Sequence, residues 1–199
     1  YRLTNPHDEV LDRWAITPGR YDETTWSLDG EPVEPEDRAG LMVFDRPLAP
    51  GEQVELGFEY EAVYPRGFNQ TGGGAGTFVL DAGVVLTTFG PAWIPSIGYL
   101  EGVGVDEDNQ YEPREYPEDH YEGVTASAFG NEGPPFTTRV RVTAPEEYTV
   151  NSVGLLTDSS TVDGRRTVVW ESDHPVTFFN VVAGRWAVHE GDGTAIYYH

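Results

Sequence analysis

Apolar residues recur at every second position along much of this chain, which is the spacing of a half-buried strand and not of a helix. From Gln53 to Glu61 the residues read QVELGFEYE, so Val54, Leu56, Phe58 and Tyr60 share one side while Glu55, Glu59 and Glu61 share the other. Thr138–Thr143 repeats the pattern with Arg139 and Arg141 outside. Such alternation predicts antiparallel strands with one wet face. Arg166–Glu171 and Val176–Val182 read as more deeply buried strands, and Leu11–Ile16, Arg20–Leu28 and Leu41–Phe44 as earlier ones. Thr77–Phe89 is a long β-prone run broken at Gly83, where the pattern predicts a bulge. Turn signals punctuate these runs: Asp29-Gly30, Pro50-Gly51 and Asp163-Gly164, with Glu190–Gly193 joining Arg185–His189 to Thr194–Tyr198. No stretch of a dozen residues carries a helical period. The expected fold class is therefore all-β, an antiparallel sandwich.

Composition supports this and adds charge. Gly 23 and Pro 15 suit a turn-rich fold, and Trp 5, Tyr 11 and Phe 9 supply a large apolar core. Asp+Glu 34 stand against twelve basic residues, all of them arginine, for a net charge of -22. That balance excludes nucleic acid and anionic membrane surfaces as partners, since both need a basic face. A surface of one sign repels itself unless salt screens it. Two origins fit: a source living at high salt, or an ordinary acidic protein from a high-GC genome. No cysteine is present, which removes disulfides and thiolate chemistry, and no apolar run is long enough to span a membrane as a helix. The opening Tyr1-Arg2-Leu3 and the closing Ile196–His199 suggest a piece of something longer. Without a compositional break or repeat, residues 1–199 are expected to form a single sandwich domain.

Catalytic patterns are missing. The histidines, His7, His120, His174, His189 and His199, form neither HExxH nor an i, i+4 pair. Asp106, Asp108 and Gln110 imitate the opening of a calcium loop, but Tyr111 stands at its glycine position and Pro117 at its glutamate position. The acid- and proline-rich stretch from Val105 to Gly123 reads as a surface loop. The run Gly72–Gly76 reads as a hairpin tip, lacking the Lys-Ser/Thr of a phosphate loop. Ser96 and Ser152 lack the glycine two residues earlier that a nucleophile elbow needs. Trp93, Tyr99, Tyr111, Tyr116 and Tyr121 lie in or near loops, so they either anchor those loops or offer stacking platforms to a sugar.

Several segments in order carry a resemblance. They are Leu48-Ala49-Pro50-Gly51-Glu52 leading into Leu56-Gly57-Phe58-Glu59-Tyr60; Glu147-Tyr148-Thr149-Val150-Asn151-Ser152-Val153-Gly154; Val169-Trp170-Glu171; and Pro175–Ala183 followed by Gly184-Arg185-Trp186. Together, over about 40–199, they resemble the amino-terminal domain of aminopeptidase N-like zinc metallopeptidases. Phe89–Tyr99 is similar to the version fused to bacterial transporter-permease-like membrane proteins.

The resemblance implies a saddle-like sandwich that packs on a catalytic domain and walls its substrate cleft. It implies no catalytic residue, metal ligand or cofactor in this chain, with zinc belonging to the absent catalytic domain. The implied partners are that adjacent domain and a peptide substrate, on the extracytoplasmic side of a membrane-anchored parent. Where the family's domain lends a Gln and a Glu to the cleft, this sequence places Thr88 and Gly90, which implies a divergent parent. Thr88, Gly90, Trp93 and Tyr99 are thus the expected cleft- or interface-facing residues. A carbohydrate-binding or adhesion module is the alternative that the loop aromatics leave open.

Overall fold

The computed structural model describes residues 1–18, 24–38, 40–64, 66–70, 75–87, 93–98, 135–192 and 194–198. Among them there is no helix, and every strand pair is antiparallel. The chain is an all-β protein of sandwich type. It divides into two compact units, one from Tyr1–Val63 with Gly90–Val124, the other from Tyr64–Phe89 with Thr125–His199.

The first unit holds two four-stranded sheets. One has the order β1 (Arg2–Thr4), β7 (Gln53–Tyr60), β3 (Thr24–Leu28), β4 (Glu31–Val33); the other has β11 (Ser96–Ile97), β2 (Trp14–Thr17), β6 (Leu41–Phe44), β5 (Glu36–Arg38). Its core draws on both sheets: Trp26 and Leu56 from the first, Ile16 and Phe44 from the second. The alternation in β7 explains the arrangement, because Val54 and Leu56 are buried while Glu55 is exposed. Three aromatic rings meet at the centre, with Phe44 stacked on Trp14 at 4.3 Å and set edge-on to Trp26 at 5.7 Å. Asp29 and Gly30 both have positive φ, 50° and 85°, which closes the β3–β4 hairpin with the twist that strands require. The turn before β7 is tied by Glu52. Its carboxylate accepts from the Ala49 N–H and from Arg46, and these bonds, the backbone one first, hold it below the usual carboxylate range. Asn5, fully buried, donates to the Leu48 and Glu9 carbonyls and accepts from His7 N–H, so its amide is satisfied.

The second unit contains a five-stranded sheet ordered β13 (Thr149–Ser152), β16 (Asn180–Gly184), β10 (Gly83–Thr87), β9 (Ala75–Val79), β8 (Gly67–Gln70). A three-stranded sheet is ordered β12 (Arg139–Pro145), β15 (Arg165–Glu171), β14 (Leu155–Val162), and a hairpin pairs β17 (Ala187–Gly191) with β18 (Thr194–Tyr198). Ala144 and Val168 from the three-stranded sheet meet Val150 and Ala183 from the five-stranded one in the core. Of the glycine run expected as a hairpin tip, Ala75 and Gly76 open β9, which pairs with β8, and residues 71–74 lie outside the described residues.

Two expectations need correction. Gly83 is not a bulge inside one strand. Leu80 and Gly83 exchange both backbone hydrogen bonds, at 2.8 and 3.2 Å, so Asp81-Ala82 turn the chain and Val84 folds back opposite Val79. The run Val176–Val182 is not one strand either. β16 pairs with β10 and β13 only from Asn180 onward, and the earlier Val176 stands in an isolated bridge to Phe136. Conversely, Leu155–Thr161 lacks alternation and yet forms most of an eight-residue strand.

Gly83 and Gly184 face each other across β10 and β16. A Cβ at Gly184 would lie 2.6 Å from the Cζ2 of Trp186, and one at Gly83 would lie 2.8 Å from the same atom. Glycine stands at both positions where a Cβ would meet that indole and the facing backbone, the Ala183 carbonyl oxygen for Gly83 and, at 2.6 Å, the Ala82 carbonyl oxygen for Gly184.

Candidate functional site

Of the four residues expected to face a cleft or interface, Thr88, Gly90 and Tyr99 lie outside the described residues; Trp93 is described, in the first unit. The segment Trp93–Gly98 around it is fastened at each step. The Tyr60 hydroxyl donates to the Trp93 carbonyl. The Tyr1 hydroxyl donates to the Pro95 carbonyl at 2.7 Å, and Pro95 itself is fully buried. Ser96 and Ile97 then pair with Thr17 and Ile16 as the edge of a sheet. Gly98, with φ of 81°, donates its N–H to the Ala15 carbonyl at 2.9 Å and accepts from Thr17 Oγ1 at 2.6 Å.

Both tyrosines stand on the inward side of the first sheet for a register reason. Tyr60 follows Leu56 and Phe58 at two-residue steps along β7, and Tyr1 exchanges backbone hydrogen bonds with Leu56 across the β1–β7 ladder. The Tyr1 ring meets Phe58 edge-on at 5.1 Å. Apolar bodies therefore fill the sandwich end while hydroxyl tips reach the carbonyls of the segment. Burial, with a smaller contribution from Tyr60, pushes the Tyr1 phenol above its ordinary pKa. Trp93 is half-buried, so this stretch presents a fixed tryptophan-bearing ledge with Ile97 outermost at 63% exposure.

Replacing Tyr60 with Phe should loosen this ledge and little else. We expect a loss of about 1 kcal/mol and faster amide exchange for Ile97 and Gly98, read by hydrogen-exchange mass spectrometry. The Tyr1 shift adds a pH signature. A phenol whose pKa is raised on folding contributes stability that is complete below the unfolded value of about 10 and is lost as pH rises beyond it. The stability of the chain should therefore fall as pH rises past ~10, a fall that Tyr1→Phe should lessen, read from melting temperatures across a pH series. Unchanged exchange at Ile97 in Tyr60→Phe would show that the Tyr60 hydroxyl does not hold the segment.

Ser152, one of the serines considered from sequence, is buried and spends its hydroxyl on the Asn180 carbonyl at 2.6 Å. His7, His174 and His189 are all exposed, and His174 pairs with its neighbour Asp173. Among the described residues no three His, Cys, Asp or Glu side chains come together, so they do not fit a zinc ion. His120, His199 and the whole of 105–123 lie outside the described residues. No described helix is long and apolar enough to cross a membrane. Sequence reasoning missed Tyr1 and Tyr60 as the fasteners of the segment. Alternation with Leu56 and Phe58 marked Tyr60 as inward, but nothing local marked Tyr1 or what lay above either ring.

No family model matches the chain, and no curated protein matches it. Solved structures do. The chain is similar to an M1 zinc metallopeptidase from Deinococcus radiodurans, a glutamate-to-alanine mutant bound to a Tyr-Ser-Ala substrate, at 18% identity and a TM-score of 0.50 over 98% of this chain and 41% of that one. A second structure of that mutant gives 16% identity and 0.51 over the same shares. A two-domain M1 zinc metallopeptidase mutant bound to L-arginine gives 17% and 0.50, again over 98% and 41%. The chain thus spans about two fifths of the length of the structures it matches, and at these identities the shared property is the fold.

Proposed function

We propose that this chain is a non-catalytic, amino-terminal scaffold domain of an aminopeptidase-like, M1 zinc-metallopeptidase-related protein. The observation that carries the reading is a fold likeness that takes in 98% of this chain while leaving most of a zinc metallopeptidase uncovered. On this reading zinc and the catalytic base belong to the neighbouring domain, and this chain contributes a rigid wall. The Trp93–Gly98 ledge, with Thr88, Gly90 and Tyr99 beside it in sequence, faces that domain or a peptide in its cleft. A wall of this kind acts by holding position, which is where the four carbonyl and sheet attachments of the ledge matter. The parent is then the membrane-attached, extracytoplasmic kind that Phe89–Tyr99 resembles.

The test is direct. Supplied with zinc, the purified chain should hydrolyse no aminoacyl-p-nitroanilide, whereas the same chain joined to an HExxH-bearing domain of its own parent should. Turnover by the chain alone overturns the proposal. Glycan-array binding that disappears in Trp93→Ala would instead establish the carbohydrate-binding reading.

A further inference from the structure

We infer that β14 is an open sheet edge through which two copies of this chain pair. A strand at the edge of a sheet leaves alternate N–H and C=O groups without ladder partners, and proteins blunt such edges by shortness, charge or proline. The other edges of the described four- and five-stranded sheets follow that rule. β1, β4, β5 and β11 have three residues or fewer, with Pro32 in β4 and three charged residues in β5, and β8 and β13 have four. Across its own sheet, β12 carries Arg139, Arg141 and Pro145. β14 breaks the rule: it has eight residues, LLTDSSTV, all exposed, with Asp158 its one charge. Leu155, Leu156 and Val162 are 60%, 51% and 67% exposed.

The occupant follows from register and charge. β14 shifts register against β15 between Leu156 and Asp158, and from Asp158 to Val162 it runs regularly. Antiparallel pairing of that stretch with itself about Ser160 sets Ser160 opposite Ser160, Ser159 opposite Thr161 and Asp158 opposite Val162 of the second copy. Hydroxyls face hydroxyls and no like charges meet, which is the favourable cross-strand case. The two-fold symmetry makes the contact closed, so it ends at a dimer. Charge favours this approach. Arg139, Arg141, Arg165 and Arg166 outnumber Asp158 and Glu171 in the three strands, a balance of +2 in a chain of -22. The sheet is therefore where the repulsive field of a second acidic copy is most nearly offset, and salt screens the remainder.

Sedimentation velocity over a range of protein concentrations, in low salt and in molar KCl, tests this. We expect a monomer in low salt and a concentration-dependent dimer in molar KCl. Ser160→Arg replaces the hydroxyl contact at the two-fold with two long side chains of like charge and should weaken the dimer by about threefold. Thr161→Arg serves the same purpose if the first variant loses its native circular dichroism. Thr143→Arg, on the opposite edge of the same sheet, should leave the dimer intact. A monomer under all conditions overturns the inference, as does a dimer indifferent to both β14 variants, one lost equally in Thr143→Arg, or open-ended association in place of a dimer.

Discussion

Between about 0.1 M and 2 M KCl, where the Debye length shrinks from about 10 Å to 2–3 Å, the melting temperature of this chain is expected to rise by on the order of 10 °C. The expectation rests on thirty-four acids facing twelve arginines and no lysine. Local pairing does not relieve that imbalance. The described arginine–carboxylate contacts, such as Arg13–Asp45, Arg66–Asp81 and Arg139–Glu171, lie at the surface, where ion pairs contribute little. What remains is long-range repulsion spread over the whole molecule, which compaction intensifies and added salt screens. Differential scanning calorimetry across a KCl series measures it. A flat or falling melting temperature would mean that the excess charge is offset within the fold, and would favour the reading of an ordinary acidic protein. Repeating the series in NaCl and in sulfate separates screening from the strengthening of apolar burial by excluded anions: pure screening follows ionic strength whatever the salt.

The second large effect is expected at Phe44. Its side chain is 1% exposed and sits between Trp14 and Trp26, stacked on one and edge-on to the other. Phe44→Ala removes the ring and leaves a cavity that two indoles cannot both collapse into, at a cost of about 3–5 kcal/mol. For a chain of this length that lowers the melting temperature by roughly 10 °C. Phe44→Leu keeps most of the volume and should cost under half as much, roughly 1.5 kcal/mol. Tryptophan fluorescence reports the same event, because Trp14 also donates its Nε1–H to the Arg46 carbonyl at 3.0 Å and shifts with its neighbours. A change below ~2 °C in Phe44→Ala would mean that the two sheets of the first unit do not share this core.

These expectations differ in how far the sequence alone could carry them. The salt response is legible from composition, since charge count and sign need no coordinates. The strand character of Gln53–Tyr60 and Arg139–Thr143 is legible because each turns one face inward, and a two-residue period leaves a trace wherever one face is apolar; Arg166–Glu171 is legible instead from its apolar run, in which the adjacent Val168 and Val169 are both buried. The turns at Asp29-Gly30 and Asp163-Gly164 are legible because positive φ at both positions favours few residue types. β14 was not, apart from its end at Val162: with both faces wet there is no alternation to read, and its place is assigned by the hydrogen bonds of β15.

The candidate site divides in the same way. Loop aromatics could be picked out one by one, and Trp93 among them, but what fastens its segment is a pair of hydroxyls from Tyr1 and Tyr60, ninety-four and thirty-three positions away from their acceptors. By itself the sequence determined that the chain folds into antiparallel strands, where most of them run, and what sign of charge they carry, because side-chain period and composition are local properties. Only the tertiary structure decided which strands are neighbours, that Gly83 starts a new strand, that Gly184 makes room for Trp186, and that β14 stands at the end of its described sheet. Those outcomes depend on contacts between residues distant in the chain, and no local pattern encodes which distant partner a backbone hydrogen bond will find.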